Sequence, residues 1–178
     1  MVKYLWSDEQ AAALTPGLDE LVYRSNLIGS DRSVCNWGGG NTSMKTKETD
    51  FRGREIDVMW VKGSGSDLAT MSAGQFTGLK LDDVRPLIER DHLSDEEMTA
   101  YLAHCMIDKS HPRPSIETLF CHFPMLIIHI RMRSSAFAAL TAGSRSPKRF
   151  LAAVLFGCLM CVRLYFIKND CRRSQKQS

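Results

Sequence analysis

The chain has 178 residues, of which 44% are hydrophobic and 24% are charged, a balance typical of a soluble domain with its own core. Its net charge of +3 is too small to indicate a nucleic-acid-binding protein. Six scattered cysteines and an N-terminus that turns polar at Ser7 lead us to expect a cytoplasmic protein with reduced thiols and no signal peptide.

The first half of the chain predicts one helix and two strands. Thr15 is placed to cap the helix and Pro16 to occupy its first position, and residues 29–31 end it. The elements predicted next are a strand over residues 43–46, a hairpin turn over 51–54 and a strand over 56–61. The last strand is largely apolar on both of its faces, so we expect a sheet that is covered on both sides.

The second half predicts shorter elements before one clear helix. They are a helix or turn over residues 67–76, an extended segment over 78–81, and a loop or helix over 84–89 that Pro86 interrupts. Ser94 and Glu97 then form a capping box for a helix that ends near Asp108. His104 lies beside the apolar stripe of this helix, and we do not assign it to a metal because no second ligand follows four residues later.

Three polar stretches are candidates for an anion site. The first is the glycine run that ends in Gly40 and Asn41, where consecutive N–H groups can point at one phosphate. It is not a P-loop, since no Lys-Ser or Lys-Thr closes it, and by itself it is equally typical of a mobile loop. The second is the Ser64-Gly65 turn directly after a strand, and the third places Ser115 and Glu117 after a rigid Pro-x-Pro.

On these three stretches the chain resembles the class II (zinc-dependent) aldolase/adducin family. It is most similar to the aldolase half of bifunctional rhamnulose-1-phosphate aldolase/dehydrogenase proteins, from about residue 22 to residue 119. The resemblance implies an α/β fold, with helices around a mostly antiparallel central sheet that is incomplete at its C-terminus. It divides the chain into a partial aldolase-like domain over residues 1–119 and a tail over residues 120–178 that does not resemble the family.

The resemblance also implies roles for individual residues. The phosphate of a ketose 1-phosphate would be held by Gly40, Asn41, Ser64, Gly65 and Ser115. Glu117 would be the catalytic acid/base, although an ordinary acid in the first turn of a helix is the alternative. Zinc would polarise the carbonyl, but the family's His-x-His pair is missing, and only His122 and His129 follow Glu117. We therefore expect a chain that binds no zinc and is an inactive fragment.

The tail is predicted to be a frameshifted translation. Reading residues 126–133 from the third base of suitable codons gives Asp-His-Thr-His-Pro-Asp-Ala, which is the family's missing ligand motif. Other features of the tail are then incidental. The Cys158–Cys161 pair has no partner pair, and the apolar run over residues 150–162 is shorter than the about 20 residues of a membrane span.

The expected activity is that of a lyase of rhamnose metabolism. It would cleave rhamnulose 1-phosphate or a similar ketose 1-phosphate to dihydroxyacetone phosphate and an aldehyde of the lactaldehyde type. The family is homo-oligomeric, and no nucleic acid or membrane partner is expected. Two alternatives remain open: a non-catalytic phosphate-binding or interaction module of adducin type, and a protein attached to a membrane through residues 150–167.

Overall fold

The computed structural model describes residues 5–90, 92–115, 118 and 125–128. The catalytic candidate Glu117, the histidines His122 and His129, and the cysteine pair and apolar run of the tail lie outside these residues. The centre of the fold is a four-stranded sheet in which every neighbouring pair is antiparallel, in the order β3-β2-β1-β4. Its strands are β1 (Asn41–Thr49), β2 (Glu55–Lys62), β3 (Phe76–Lys80) and β4 (Met125–Ile128).

Helices pack on both faces of this sheet, as the predicted α/β class requires. They are α1 (Asp8–Ala12), α2 (Leu18–Ser30), α3 (Leu81–Val84) and α4 (Asp95–Cys105), with 3-10 turns at Leu68–Thr70, Ala73–Gln75 and Arg85–Glu89. The predicted elements over residues 67–76 and 84–89 are therefore these short turns. The capping box of α4 is present as predicted, but the helix ends three residues before Asp108.

The two faces of β2 each pack against a separate hydrophobic cluster. Val58 and Trp60 face α2 and contact Leu21 and Phe76, among others. The alternate residues of the same strand, Met59 and Val61, face the other side and pack with Leu79 and Cys105. The prediction of a sheet covered on both sides is confirmed, because side chains of successive strand residues point to opposite faces.

The β1–β2 hairpin is built around one carboxylate. Asp50 accepts hydrogen bonds from the N–H groups of Arg52 and Arg54 and from the Arg54 guanidinium. Gly53 takes a φ of 76°, in the left-handed region that favours glycine. The turn predicted over residues 51–54 is therefore confirmed, and it fixes the register in which Ser43 lies opposite Val61.

The predicted start of the first long helix was wrong. Helix α2 begins at Leu18, and its cap is Gly17 with a φ of 106°, a conformation that continues no helix. Thr15 and Pro16 therefore lie in the turn before α2 rather than in its first turn. The sequence analysis also missed α1, which begins after Ser7, whose hydroxyl accepts from the Gln10 N–H.

Strand β4 lies beyond residue 119 and pairs with only the first part of β1. Its four residues lie opposite Asn41–Met44, which leaves the outer edge of residues 45–49 without a partner strand in the described part of the chain. An open edge of this kind was expected for a sheet that is incomplete at its C-terminus. None of the helices formed by the described residues is long and apolar enough to span a bilayer.

Candidate functional site

The first two predicted stretches meet at one end of the sheet. Asn41 is the first residue of β1 and Lys62 is the last residue of β2. The β1–β2 register ends with Ser43 opposite Val61, and beyond it the Gly38 N–H donates to Asp67 Oδ2 at 3.2 Å. The glycine loop before β1 and the segment after β2 are therefore in contact.

The third stretch is joined to this end by backbone hydrogen bonds. The Ser64 N–H donates to the Arg113 carbonyl at 2.9 Å, and the Ser115 N–H donates to the Lys62 carbonyl at 3.2 Å. Between these bonds Gly63 and Pro114 form an antiparallel bridge. Residues 113–115 thus run antiparallel to the end of β2, with Arg113 opposite Ser64 and Ser115 opposite Lys62.

The bridge depends on a glycine at residue 63. A Cβ atom there would lie 2.7 Å from the Gln75 carbonyl oxygen and 2.8 Å from Pro112 Cγ, both closer than real contacts allow. The Gly63 N–H itself donates to that Gln75 carbonyl at 2.9 Å. Only a residue without a side chain lets the two neighbouring segments come this close to β2.

Five of the six predicted site residues can be located, and they differ in exposure. Asn41 and Ser115 are buried, with 2% and 9% of their surface exposed, whereas Ser64 and Gly65 are exposed. Gly65 turns the chain with a φ of 84°. The sixth residue, Glu117, lies outside the described residues, although the nearby Thr118 N–H donates to the Ser115 carbonyl at 3.1 Å.

The glycine loop offers fewer free amides than its sequence indicates. The Gly38 N–H donates to Asp67 Oδ2 at 3.2 Å, and the Gly39 N–H donates to the Asn36 carbonyl at 3.0 Å. Gly40, with a φ of 74°, has an N–H that finds no acceptor within the described residues. A cradle made of three consecutive glycine amides is therefore not formed, and Gly40 and Asn41 are both buried.

Asp67 connects this loop to the turn after β2. Its carboxylate accepts hydrogen bonds from both Nη atoms of Arg32, at 3.3 and 3.2 Å, as well as from Gly38. The Arg32 guanidinium also lies over the ring of Trp37, 3.7 Å from its centre. Burial opposes the ionisation of Asp67, but hydrogen bonds from Ala69, Arg32 and Gly38 outweigh it and lower the carboxyl's pKa.

A buried cation, Lys62, was missed by the sequence analysis. It is 4% exposed and ends β2 on the face that Val58 and Trp60 share. Burial, and then the charge of Asp67, raise the pKa of Cys35, while the charges of Arg32 and Lys62 oppose that rise. The Cys35 thiol donates to the Gly39 carbonyl at 3.3 Å, which joins Cys35 to the glycine loop.

The sequence does contain a signal for the burial of Lys62. The residue continues the two-residue spacing of Val58 and Trp60, which share one apolar face of β2. A second buried cation, Arg24, lies 6% exposed on α2, where its Nη2 contacts Met44 Sδ at 3.6 Å. Burial lowers the pKa of Arg24, and the charge of Glu20 opposes this.

The described residues do not fit a catalytic metal. Among them no three His, Cys, Asp or Glu side chains come close enough to ligate one ion. His111 Nδ1 accepts from the Gly78 N–H at 3.3 Å and its ring lies beside Trp60, so this histidine has a structural use. His104 is exposed on α4.

The comparison with solved structures points to a class II aldolase domain. The N-terminal class II aldolase domain of a conserved protein from Thermoplasma acidophilum matches with a TM-score of 0.65 and 33% identity, over 79% of this chain and 70% of that domain. A curated relative, the "Uncharacterized oxidoreductase YuxG" of Bacillus subtilis (strain 168), is 75% identical over 123 residues, or 69% of this chain. The chain spans 18% of the length of that relative. No protein-family model matches the chain.

Proposed function

The chain belongs to the class II aldolase family, and from this premise we propose that it carries the phosphate-binding part of a sugar-phosphate aldolase site. The ligand would be a ketose 1-phosphate of the rhamnulose 1-phosphate type. Its phosphate would lie between Gly40 and Asn41 on one side and Ser64, Gly65 and Ser115 on the other. The observation that carries this proposal is the pairing of residues 113–115 with the end of β2.

Charge at the same end of the sheet supports an anionic ligand. Lys62 is buried at the end of β2, its carbonyl accepts from the Ser115 N–H at 3.2 Å, and it precedes Ser64 by two residues. Small hydroxyl and amide donors with a nearby fixed cation suit a dianion, because hydrogen bonds with a charged partner are stronger than neutral ones. We assign Lys62 to the site as the source of that charge.

We propose that turnover does not occur in this chain. Glu117 would act as the acid/base at the substrate carbon, and class II aldolases use a divalent metal to stabilise the enediolate formed there. The described residues provide no ligand set, and the His-x-His pair of the family is absent from the sequence. The phosphate site and the metal site would thus be separable, with only the first retained.

The missing ligands have a proposed origin in the reading frame. Residues 126–133 recode to Asp-His-Thr-His-Pro-Asp-Ala when the frame is shifted, so the protein would be a partial domain over residues 1–119 followed by a translated but unrelated tail. The parent enzyme would produce dihydroxyacetone phosphate and lactaldehyde as a cytoplasmic homo-oligomer. A non-catalytic phosphate-binding module of adducin type is the second candidate, and retained phosphate binding without any substrate cleavage would favour it.

Binding of phosphate to single-residue variants tests the site. We expect inorganic phosphate and dihydroxyacetone phosphate to shift the amide resonances of Gly40, Asn41 and Ser64 in ¹H–¹⁵N spectra of the chain. Ser64→Ala should weaken the binding of both ligands by about tenfold or more, since a hydrogen bond to a charged group contributes about 1.5–3 kcal/mol. Thr70→Ala removes an exposed hydroxyl outside the site and is the matched control. Equal affinity for the two variants would rule out the proposed cradle.

A further inference from the structure

The two turns of the proposed phosphate site are held together by one ion pair. Asp67 Oδ2 accepts from the Gly38 N–H and from Arg32 Nη2, both at 3.2 Å. Asp67 Oδ1 accepts from the Ala69 N–H at 2.9 Å and from Arg32 Nη1 at 3.3 Å. Both carboxylate oxygens are therefore engaged, and the partners come from segments that are far apart in sequence.

The Arg32 side of this pair reaches the outer part of the glycine loop. Its guanidinium lies 3.7 Å from the centre of the Trp37 ring, whose residue is 80% exposed. The ring is thus fixed by the cation rather than by burial in the core. Arg32 and Asp67 remain partly exposed themselves, at 30% and 21% of their side-chain surface.

We propose that Arg32 and Asp67 are a positioning pair for the phosphate, with Asp67 setting the spacing of the two glycine turns and Arg32 cancelling its negative charge. This inference rests on the proposed function, because it needs an anion between the turns. Asp67 follows Gly65 by two residues and bonds to Gly38, two residues before Gly40. An uncompensated carboxylate at this place would repel a phosphate that binds to those residues.

The charge argument makes a prediction that a purely structural role does not. Arg32→Gln leaves Asp67 ionised and unpaired, so the affinity for inorganic phosphate should fall by about tenfold. Asp67→Asn keeps an amide oxygen as acceptor for the Gly38 N–H, so it should lower the affinity for inorganic phosphate only about threefold. The double variant Arg32→Gln/Asp67→Asn should bind phosphate better than Arg32→Gln alone, although it has lost more of the native contacts.

A second readout reports the spacing directly. The amide of Gly38 donates to a carboxylate, and with no ligand present its ¹H shift should move upfield in Asp67→Asn but not in Arg32→Gln, which keeps the ionised acceptor. Arg32→Lys keeps the charge but loses the bidentate geometry, so it should hold the phosphate affinity within about threefold of the native value. Arg32→Lys also provides a variant to measure if Arg32→Gln does not fold.

A matched ion pair at the other end of the sheet is the control. Arg54 and Asp50 are 2.7 Å apart in the β1–β2 hairpin, also with several hydrogen bonds to one carboxylate. Arg54→Gln should leave the affinity for phosphate unchanged. Any loss of affinity in Arg32→Gln can then be separated from the general effect of removing an arginine.

The outcomes separate this inference from the proposed function. If the native chain binds phosphate and the double variant binds more tightly than Arg32→Gln, the positioning pair is supported. If the native chain binds phosphate but the double variant is as weak as Arg32→Gln, or if neither differs from the native chain, the inference is overturned alone. If the native chain does not respond to phosphate at all, the proposed site and this inference both fail.

Discussion

An aspartate organises each end of the β1–β2 pair, but the two aspartates bond to residues at different separations along the sequence. Each end has an aspartate that accepts from an arginine and from backbone N–H groups, next to glycines with positive φ. At the hairpin, Asp50 bonds to residues two and four positions away. At the site, Asp67 bonds to Gly38 and Arg32, which are 29 and 35 positions away.

This difference in sequence separation distinguishes a local turn from the candidate site. The hairpin closes on itself through hydrogen bonds between residues at most four positions apart. The site end gathers segments from three parts of the chain and retains buried polar groups such as Asn41, Ser115 and Lys62. Each of these three residues has an interaction partner, so their burial is compatible with a structural use as well as with a ligand site.

The largest effect should come from the reading frame. We expect no cleavage of rhamnulose 1-phosphate by this chain above the blank, with or without added zinc, because the family's His-x-His pair is absent from the sequence. A version whose frame is restored after residue 119 should cleave it, since metal stabilisation is worth several kcal/mol of the barrier. The rate at which dihydroxyacetone phosphate is released measures the cleavage activity of both proteins.

The coding DNA provides the control for that comparison. It should encode Asp-His-Thr-His-Pro-Asp-Ala in a second frame opposite residues 126–133. Codons that do not give this motif, or similar turnover by the two proteins, would contradict the frameshift and redirect the search for ligands to His104, His122 and His129.

A glycine at each end gives the next largest contrast. Gly63→Ala should destabilise the protein by about 1–3 kcal/mol, because its Cβ would meet the Gln75 carbonyl and Pro112 with no space to relax. Gly53→Ala meets no atom within 4 Å and suffers only the strain of a positive φ, about 1 kcal/mol. Urea unfolding measures both, and phosphate binding should be lost only in Gly63→Ala. If Gly53→Ala is the more destabilising variant, the close approach at Gly63 is not a constraint.

Two lysines, one at each end of the β1–β2 pair, test whether positive charge at the candidate site contributes to phosphate binding. Lys62→Met should weaken the binding of inorganic phosphate by about tenfold, as it removes a buried positive charge from the site end. Lys47 pairs with Asp57 at 2.7 Å near the hairpin and is well exposed, so Lys47→Met should leave that affinity unchanged. Calorimetric titration compares the variants, and equal affinities would remove Lys62 from the site.

The same difference in sequence separation explains which features the sequence could and could not predict. The hairpin turn and the capping box at Ser94 depend on neighbours within four residues, and both were predicted. The apolar side chains on both faces of β2 likewise predicted a sheet covered on both sides, because the two-residue period of a strand is a local property. The start of α2 was missed since Gly17, with its positive φ, interrupts a pattern that otherwise favours Thr15 and Pro16.

The site could be predicted only through a family resemblance. Nothing near Asp67 in sequence indicates that its carboxylate takes the Gly38 N–H, so the glycine run was expected to offer three amides. The burial of Lys62 follows from the packing of α2 and the glycine loop on one face of the sheet. Contacts over 29 or more residues depend on the assembled fold, and short-range patterns carry no information about them.

The smallest effect is an acid dependence at the hairpin end. Hydrogen bonds from the Arg54 N–H, and then from its guanidinium and from Arg52, lower the pKa of Asp50 from 3.8 to about 2. Because the folded-state value is the lower one, this carboxylate stabilises the protein fully above pH about 4, and the contribution is lost as the pH falls toward 2. Asp50→Asn should therefore flatten the loss of stability between pH 4 and 2 in acid titrations followed by urea unfolding. Phosphate affinity at neutral pH should not change in this variant, because the hairpin lies at the opposite end of β1 and β2 from the site. A weakened phosphate affinity in Asp50→Asn would mean that the two ends are coupled through the strands.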